Sequence, residues 1–60
     1  MEIQGDVINM DNVALVDRAS SYQIDIVFLG GFVKTYRYTE FLEANDDFKK
    51  LSKHLKKKVK

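Results

Sequence analysis

The sequence has no cysteine and only one histidine among its 60 residues, so no disulfide can staple the fold and no structural metal site is evident. That matters at this length, where the surface buried by one small domain barely offsets the conformational entropy lost on folding. Oligomerisation is the staple that remains. Proline is absent too, and no run approaches the roughly 18 to 20 apolar residues that a membrane span needs. The opening MEIQGDVINM lacks the basic stretch and apolar core of a signal peptide, so a cytoplasmic protein with no membrane partner is expected. The glycines fit neither the P-loop pattern nor the GxGxxG of a dinucleotide site.

Charge is nearly balanced overall but unevenly placed. Residues 49–60 hold seven lysines and no acid, whereas residues 1–48 hold all nine acids against Arg18, Lys34 and Arg37. Such a split can mark a basic arm for nucleic acid or an acidic partner. It also suits a helix, because Glu40, Glu43, Asp46 and Asp47 fall where the dipole favours acids and the lysines fall where it favours cations.

What the sequence does contain is a stretch that the rest must cover, YQIDIVFLGGFVKTYRYT from Tyr22 to Thr39. Tyr22, Ile24, Ile26 and Phe28 alternate with Gln23, Asp25, Val27 and Leu29, the period of a strand. A second β-rich run follows Gly30-Gly31, and two adjacent glycines supply the positive φ of a tight two-residue turn. That turn would set Leu29 opposite Phe32, Phe28 opposite Val33, Ile26 opposite Thr35 and Ile24 opposite Arg37. One face would then carry Ile24, Ile26, Phe28 and Val33, and the other Val27, Leu29, Phe32, Tyr36 and Tyr38. An antiparallel sheet apolar on both sides needs two covers.

Elsewhere, residues 2–10 read as a first strand with Ile3, Val7, Ile8 and Met10 as its apolar members and Gly5 as a weak point. Asn9 to Asn12 reads as a turn. Residues 13–18 form a second strand, with Val13 and Leu15 on one side and Ala14 and Val16 on the other. From Glu40 the period becomes helical: Phe41, Ala44, Phe48, Leu51, Leu55 and Val59 make one stripe, and Thr39 is a plausible N-cap. Asn45-Asp46-Asp47 is a weak spot at which the helix could instead begin. Residues 56–60 form a basic tail expected to fray. The expected fold is therefore α+β, one domain over residues 1–60: a four-stranded antiparallel β-meander followed by one C-terminal amphipathic helix, packed through Phe41, Phe48, Leu51 and Leu55.

Little in the sequence points to catalysis. The lone His54 sits among lysines, two residues from Ser52, and side chains two apart on a helix do not face each other. Asp46 and Asp47 with His54 lack a further ligand for a metal, and 60 residues leave little room to enclose a pocket. No cofactor and no small-molecule substrate are expected. Binding remains. Phe32, Tyr36 and Tyr38 with Lys34 and Arg37 could stack single-stranded bases, but Asp25 on the same face would repel phosphate.

The run Gly5 to Val16, GDVINMDNVALV, followed by an alternating strand, a glycine turn and an acidic helix start, resembles the small β-meander proteins encoded in flagellar operons. It departs from them in its lysine-rich end. The four-strand-plus-helix order is also similar to coactivator-type homodimers that bind single-stranded DNA, without their basic, aromatic strand pattern. Both likenesses are of topology, and topology alone does not carry function. The expectation from the residues is a small non-catalytic adaptor acting through protein–protein contacts, as a homodimer whose interface is Val27, Leu29, Phe32, Tyr36 and Tyr38. The alternatives are a monomer whose first strands fold over that face, and a nucleic-acid-binding module using Lys49, Lys53, Lys56, Lys57 and Lys58.

Overall fold

A computed structural model describes the backbone of residues 1–58 and the side chains of residues 1–55. Two short strands, β1 (Glu2–Ile3) and β2 (Asp6–Val7), form an N-terminal hairpin, and a 3-10 turn at Met10–Asn12 leads into β3 (Val13–Ser20). β4 (Gln23–Phe28) and β5 (Val33–Arg37) follow, then the helix α1 (Phe41–Lys58). The architecture is thus α+β with antiparallel pairing, but the strands form a two-stranded sheet, β1-β2, and a separate three-stranded one, β3-β4-β5, rather than a single four-stranded meander. The frayed tail expected over residues 56–60 falls outside the residues described in full.

Gly5 is the reason for the split. Gln4 and Gly5 both have positive φ, 49° and 85°, which is the requirement of a two-residue hairpin turn. The expected first strand is therefore folded back on itself, and Met1 and Ile8 extend the pairing through mutual backbone bonds of 2.6 and 3.1 Å. Ile3, Ile8 and Met10 turn into the core, whereas Val7 is exposed. The turn read at Asn9 to Asn12 is present, with Asn9 Oδ1 accepting the Asp11 amide.

The central hairpin differs from expectation by one residue, and the consequences are large. Its loop is Leu29-Gly30-Gly31, not Gly30-Gly31, because the Phe28 amide donates to the Phe32 carbonyl at 2.7 Å and the Gly31 amide donates back to the Phe28 carbonyl at 3.0 Å. Val27 therefore faces Val33, Asp25 faces Thr35, and Ile24 faces Tyr36. A one-residue change of register moves every side chain of a strand to the other face. Tyr36 and Tyr38 consequently join Ile24 and Ile26 in the core, only 3 % and 9 % exposed, while Val33 moves to the outer side. The swap is favourable because burying a large apolar side chain is worth about 1.5 to 3 kcal/mol, and both phenol hydroxyls keep a partner.

A bulge in β3 between Val13 and Leu15 makes a similar correction. Val13 and Val16 share the buried side, and Leu15 faces outward, 55 % exposed.

Helix α1 starts at Phe41, so Glu40 takes the cap position, one residue beyond Thr39, and the Glu40 carbonyl accepts the Ala44 amide. Asn45-Asp46-Asp47 does not break it. Ala44 and Leu51 are its fully buried residues, with Phe48 and Leu55 beside them, whereas Phe41, expected in the packing stripe, is largely exposed. Helix and N-terminal hairpin cover the same face of the three-stranded sheet. The helix lies on β3 and β4, and the hairpin reaches β5 through Gln4 and Asp6. The opposite face has no cover among the described residues.

Candidate interaction surfaces

The register sorts that outer face into three rows running across the strands. Leu15, Val27 and Val33 form one, Asp17, Asp25 and Thr35 the next, and Ser20, Gln23 and Arg37 the third. The apolar row lies nearest the β4-β5 loop, where Leu29 and Phe32 are 63 % and 66 % exposed. Phe32 lies 5.8 Å from Phe28, ring centre to ring centre, and Phe28 in turn packs on the core. One end of the sheet is therefore apolar and bare. In the middle row two carboxylates face each other across β3 and β4, an unfavourable cross-strand pair, although Thr35 Oγ1 and Gln23 Nε2 both donate to Asp25 Oδ1, at 2.9 and 3.2 Å.

Of the five residues expected to share an interface, Val27, Leu29 and Phe32 lie at this end of the sheet. Tyr36 and Tyr38 do not, since the longer loop puts them inside. Leu15 and Val33 join the bare patch through features that carry no signal in the local period of two, the bulge at Ala14 and the loop length.

The buried tyrosines instead tie the layers together. The Tyr36 hydroxyl donates to Asp6 Oδ2 at 2.9 Å and the Tyr38 hydroxyl to Asp47 Oδ2 at 2.7 Å. Lys34 Nζ lies 3.1 Å from the same Asp6 oxygen. The hydrogen bond from Lys34, then that from Tyr36, holds the Asp6 carboxyl below its ordinary range. Burial, and next the bond to Asp6, pushes the Tyr36 phenol up to about 12, and burial with the Asp47 bond raises that of Tyr38 as well. Gln4 Nε2 donates to the Arg37 carbonyl at 2.7 Å and pins the hairpin tip to the end of β5.

Arg18 makes a second tie. It donates to the Ser20 and Ser21 carbonyls and to Asn45 Oδ1, and its guanidinium lies 5.6 Å from the ring centres of both Phe41 and Phe48. Stacking of this kind explains how Phe41 remains at the surface.

On the helix, Lys49 and Lys53 are exposed one turn apart and, with Phe48 and Ser52, line an open depression of about 390 Å³. The other three lysines proposed for nucleic acid, Lys56, Lys57 and Lys58, continue the helical backbone, but their side chains lie outside the described set. A cleft of about 380 Å³ opens between helix and hairpin tip, lined by Gln4, Tyr38, Glu43, Asp46, Asp47 and Lys50. His54 is exposed, and no group of three or more metal-ligating side chains occurs among the described residues. No described helix is long and apolar enough to cross a membrane. Comparison with known proteins finds no matching family model, no matching relative and no matching solved structure.

Proposed function

We propose that the protein is a non-catalytic adaptor that acts through protein–protein contacts and works as a homodimer, joined on the hairpin side of its sheet. The observation that carries this reading is the bare apolar end of the sheet, where Leu15 and Val33 flank Val27 across the strands and the exposed Leu29 and Phe32 stand at the adjoining loop, with nothing from the described residues over them. Contiguous apolar surface of this kind, rimmed by polar residues such as Asp17, Asp25 and Thr35, is the mark of an interaction site. A second copy is the favoured partner because 60 residues without a disulfide gain most from burying their own exposed side chains. Sedimentation across micromolar to millimolar concentration tests it. A dimer that is weakened when Leu29 and Phe32 are changed to serine supports the reading, and a monomer throughout that range overturns it.

A second reading, nucleic-acid binding by the lysine end of the helix, is favoured by one observation: Lys49 and Lys53 stand exposed on the same side of α1, and three further lysines follow in the helix. Retention on heparin that weakens steeply with salt supports it, since phosphate contacts release counterions. Salt-insensitive or absent retention removes it.

A further inference from the structure

The two edges of the three-stranded sheet are built differently. β3 forms one edge, and its register against β4 shifts twice, between Val13 and Leu15 and between Asp17 and Ser20. Bulges of this sort spoil an edge for further pairing. β5 forms the other edge and keeps one register with β4 through five successive pairs. Hydrogen bonds from the Phe28 amide to the Phe32 carbonyl and from the Tyr38 amide to the Tyr22 carbonyl bracket this strand. Antiparallel ladders alternate, so Lys34 and Tyr36 turn their backbone groups to β4, while Val33, Thr35 and Arg37 turn theirs away from it. Among the described residues, Gln4 Nε2 on the Arg37 carbonyl is the one hydrogen bond recorded on these outward groups.

We infer that β5 is the seam of the homodimer: a second copy adds its own β5 antiparallel to the first, with Thr35 facing Thr35 across the two-fold axis. This inference rests on the proposed self-association and specifies where it occurs. Only odd-numbered residues present free backbone groups, and centring on Thr35 is the register that pairs the whole of Val33–Arg37 with itself. It sets Val33 opposite Arg37 of the second copy, whose aliphatic stem can lie over the valine. Lys34 comes opposite Tyr36, so no like charges meet, and the threonine pair is a favourable cross-strand pair. Centring one residue earlier would instead put Lys34 against Lys34. The Arg37 carbonyl has a second lone pair for the incoming Val33 amide beside the Gln4 amide. Both copies then contribute to one six-stranded sheet, in which the exposed Val33 of each copy is covered by the Arg37 stem of the other.

Because the chain has no cysteine, a single introduced one reports its own neighbours. Facing residues of a hydrogen-bonded antiparallel pair have Cα atoms about 5.5 Å apart. Thr35→Cys is therefore expected to give a covalent dimer with a short bismaleimide, whereas Val27→Cys, one strand further in on each copy, sits roughly 14 Å or more from its counterpart and is expected to give none. Thr35→Pro removes an amide that serves no intramolecular bond. It should raise the dimer dissociation constant roughly tenfold or more, two intermolecular bonds being lost. Thr35→Lys, which opposes two like charges at the axis, should do the same should the proline variant fail to fold. A dimer that cross-links through Val27→Cys and not Thr35→Cys, or one that Thr35→Lys leaves unweakened, overturns the β5 seam while self-association stands. A monomer at every concentration overturns both.

Discussion

Changing Tyr36 to phenylalanine tests the register on which the fold rests. The hydroxyl is buried, and its bond to Asp6 ties the N-terminal hairpin to β5. Hydrogen bonds to charged groups contribute about 1.5 to 3 kcal/mol net, and because Asp6 is half exposed the low end applies, about 1.5 kcal/mol. For a domain of this length that is a large share of a total of roughly 3 to 9 kcal/mol, and it corresponds to a fall in Tm of roughly 6 to 12 °C. The expectation from a two-residue turn is different. It would set Tyr36 on the other face of the sheet, away from Asp6, and loss of its hydroxyl would then forfeit none of this bond.

The pH dependence supplies a second arm. The Tyr36 phenol ionises at about 12 in the folded chain and at its ordinary 10.0 when unfolded. Its proton is thus held more tightly by the native state, so its contribution is fully present below pH 10 and is lost as pH rises through the folded value. The loss amounts to about 2 to 3 kcal/mol, at about 1.4 kcal/mol for each tenfold change. Phenylalanine has no proton to lose. Thermal melts followed by circular dichroism should show the wild type ahead of Tyr36→Phe at pH 8, the gap closing above pH 10 and the order reversing towards 12. Two parallel curves, or identical melting temperatures at pH 8, would refute the buried placement of Tyr36.

Three other outcomes follow from the same contacts. Asp6→Asn should lower stability at neutral pH, and its deficit should vanish as pH falls through 3.8, the carboxyl's ordinary value, and on to its lower folded value, where the wild-type carboxylate is protonated as well; acid melts of the two proteins check this. Gly31→Ala meets no steric neighbour but sits at φ 93°, so urea titration should show a loss of about 1 to 2 kcal/mol from backbone strain alone. Leu51→Ala should destabilise by about 2 to 5 kcal/mol, as for other fully buried leucines, whereas Leu42→Ala, at a residue 70 % exposed, should leave the urea midpoint nearly unchanged.

The elements were largely legible in the sequence because each declares itself locally. The alternation in β4 and the stripe through Ala44, Phe48, Leu51 and Leu55 are properties of neighbouring residues. Loop length is not. Two glycines fit a two-residue turn, and what selects the three-residue loop is the burial of Tyr36 and Tyr38, whose hydroxyl partners Asp6 and Asp47 lie 30 and 9 positions away. Gln4-Gly5 carries no local turn signal for a related reason: glutamine is no turn former, and its left-handed backbone is held by a bond from its side-chain amide to the Arg37 carbonyl. The bare patch was accordingly legible in part. Val27 precedes the loop and keeps its side whatever the loop's length, whereas Phe32, Val33, Tyr36 and Tyr38 follow it and exchange sides.

The question posed by a hairpin apolar on both faces has a different answer from the one its alternation suggests. The register that buries the tyrosines gathers most of the apolar residues on one face, and that face receives two covers side by side, the helix on β3 and β4 and the N-terminal hairpin at β5. Asn45 and Asp47, which read as a break in the helix, are instead its anchors, one to Arg18 and the other to Tyr38. Of the acids at the start of α1, Asp47 is thereby given structural work, whereas Lys49 and Lys53 stand exposed on the far side of the helix's buried stripe. On the sheet the same reasoning strips the polar rows of any need for a partner. It confines that need to the apolar row and the β4-β5 loop, beside the one edge whose ladder is regular enough to be continued by another strand.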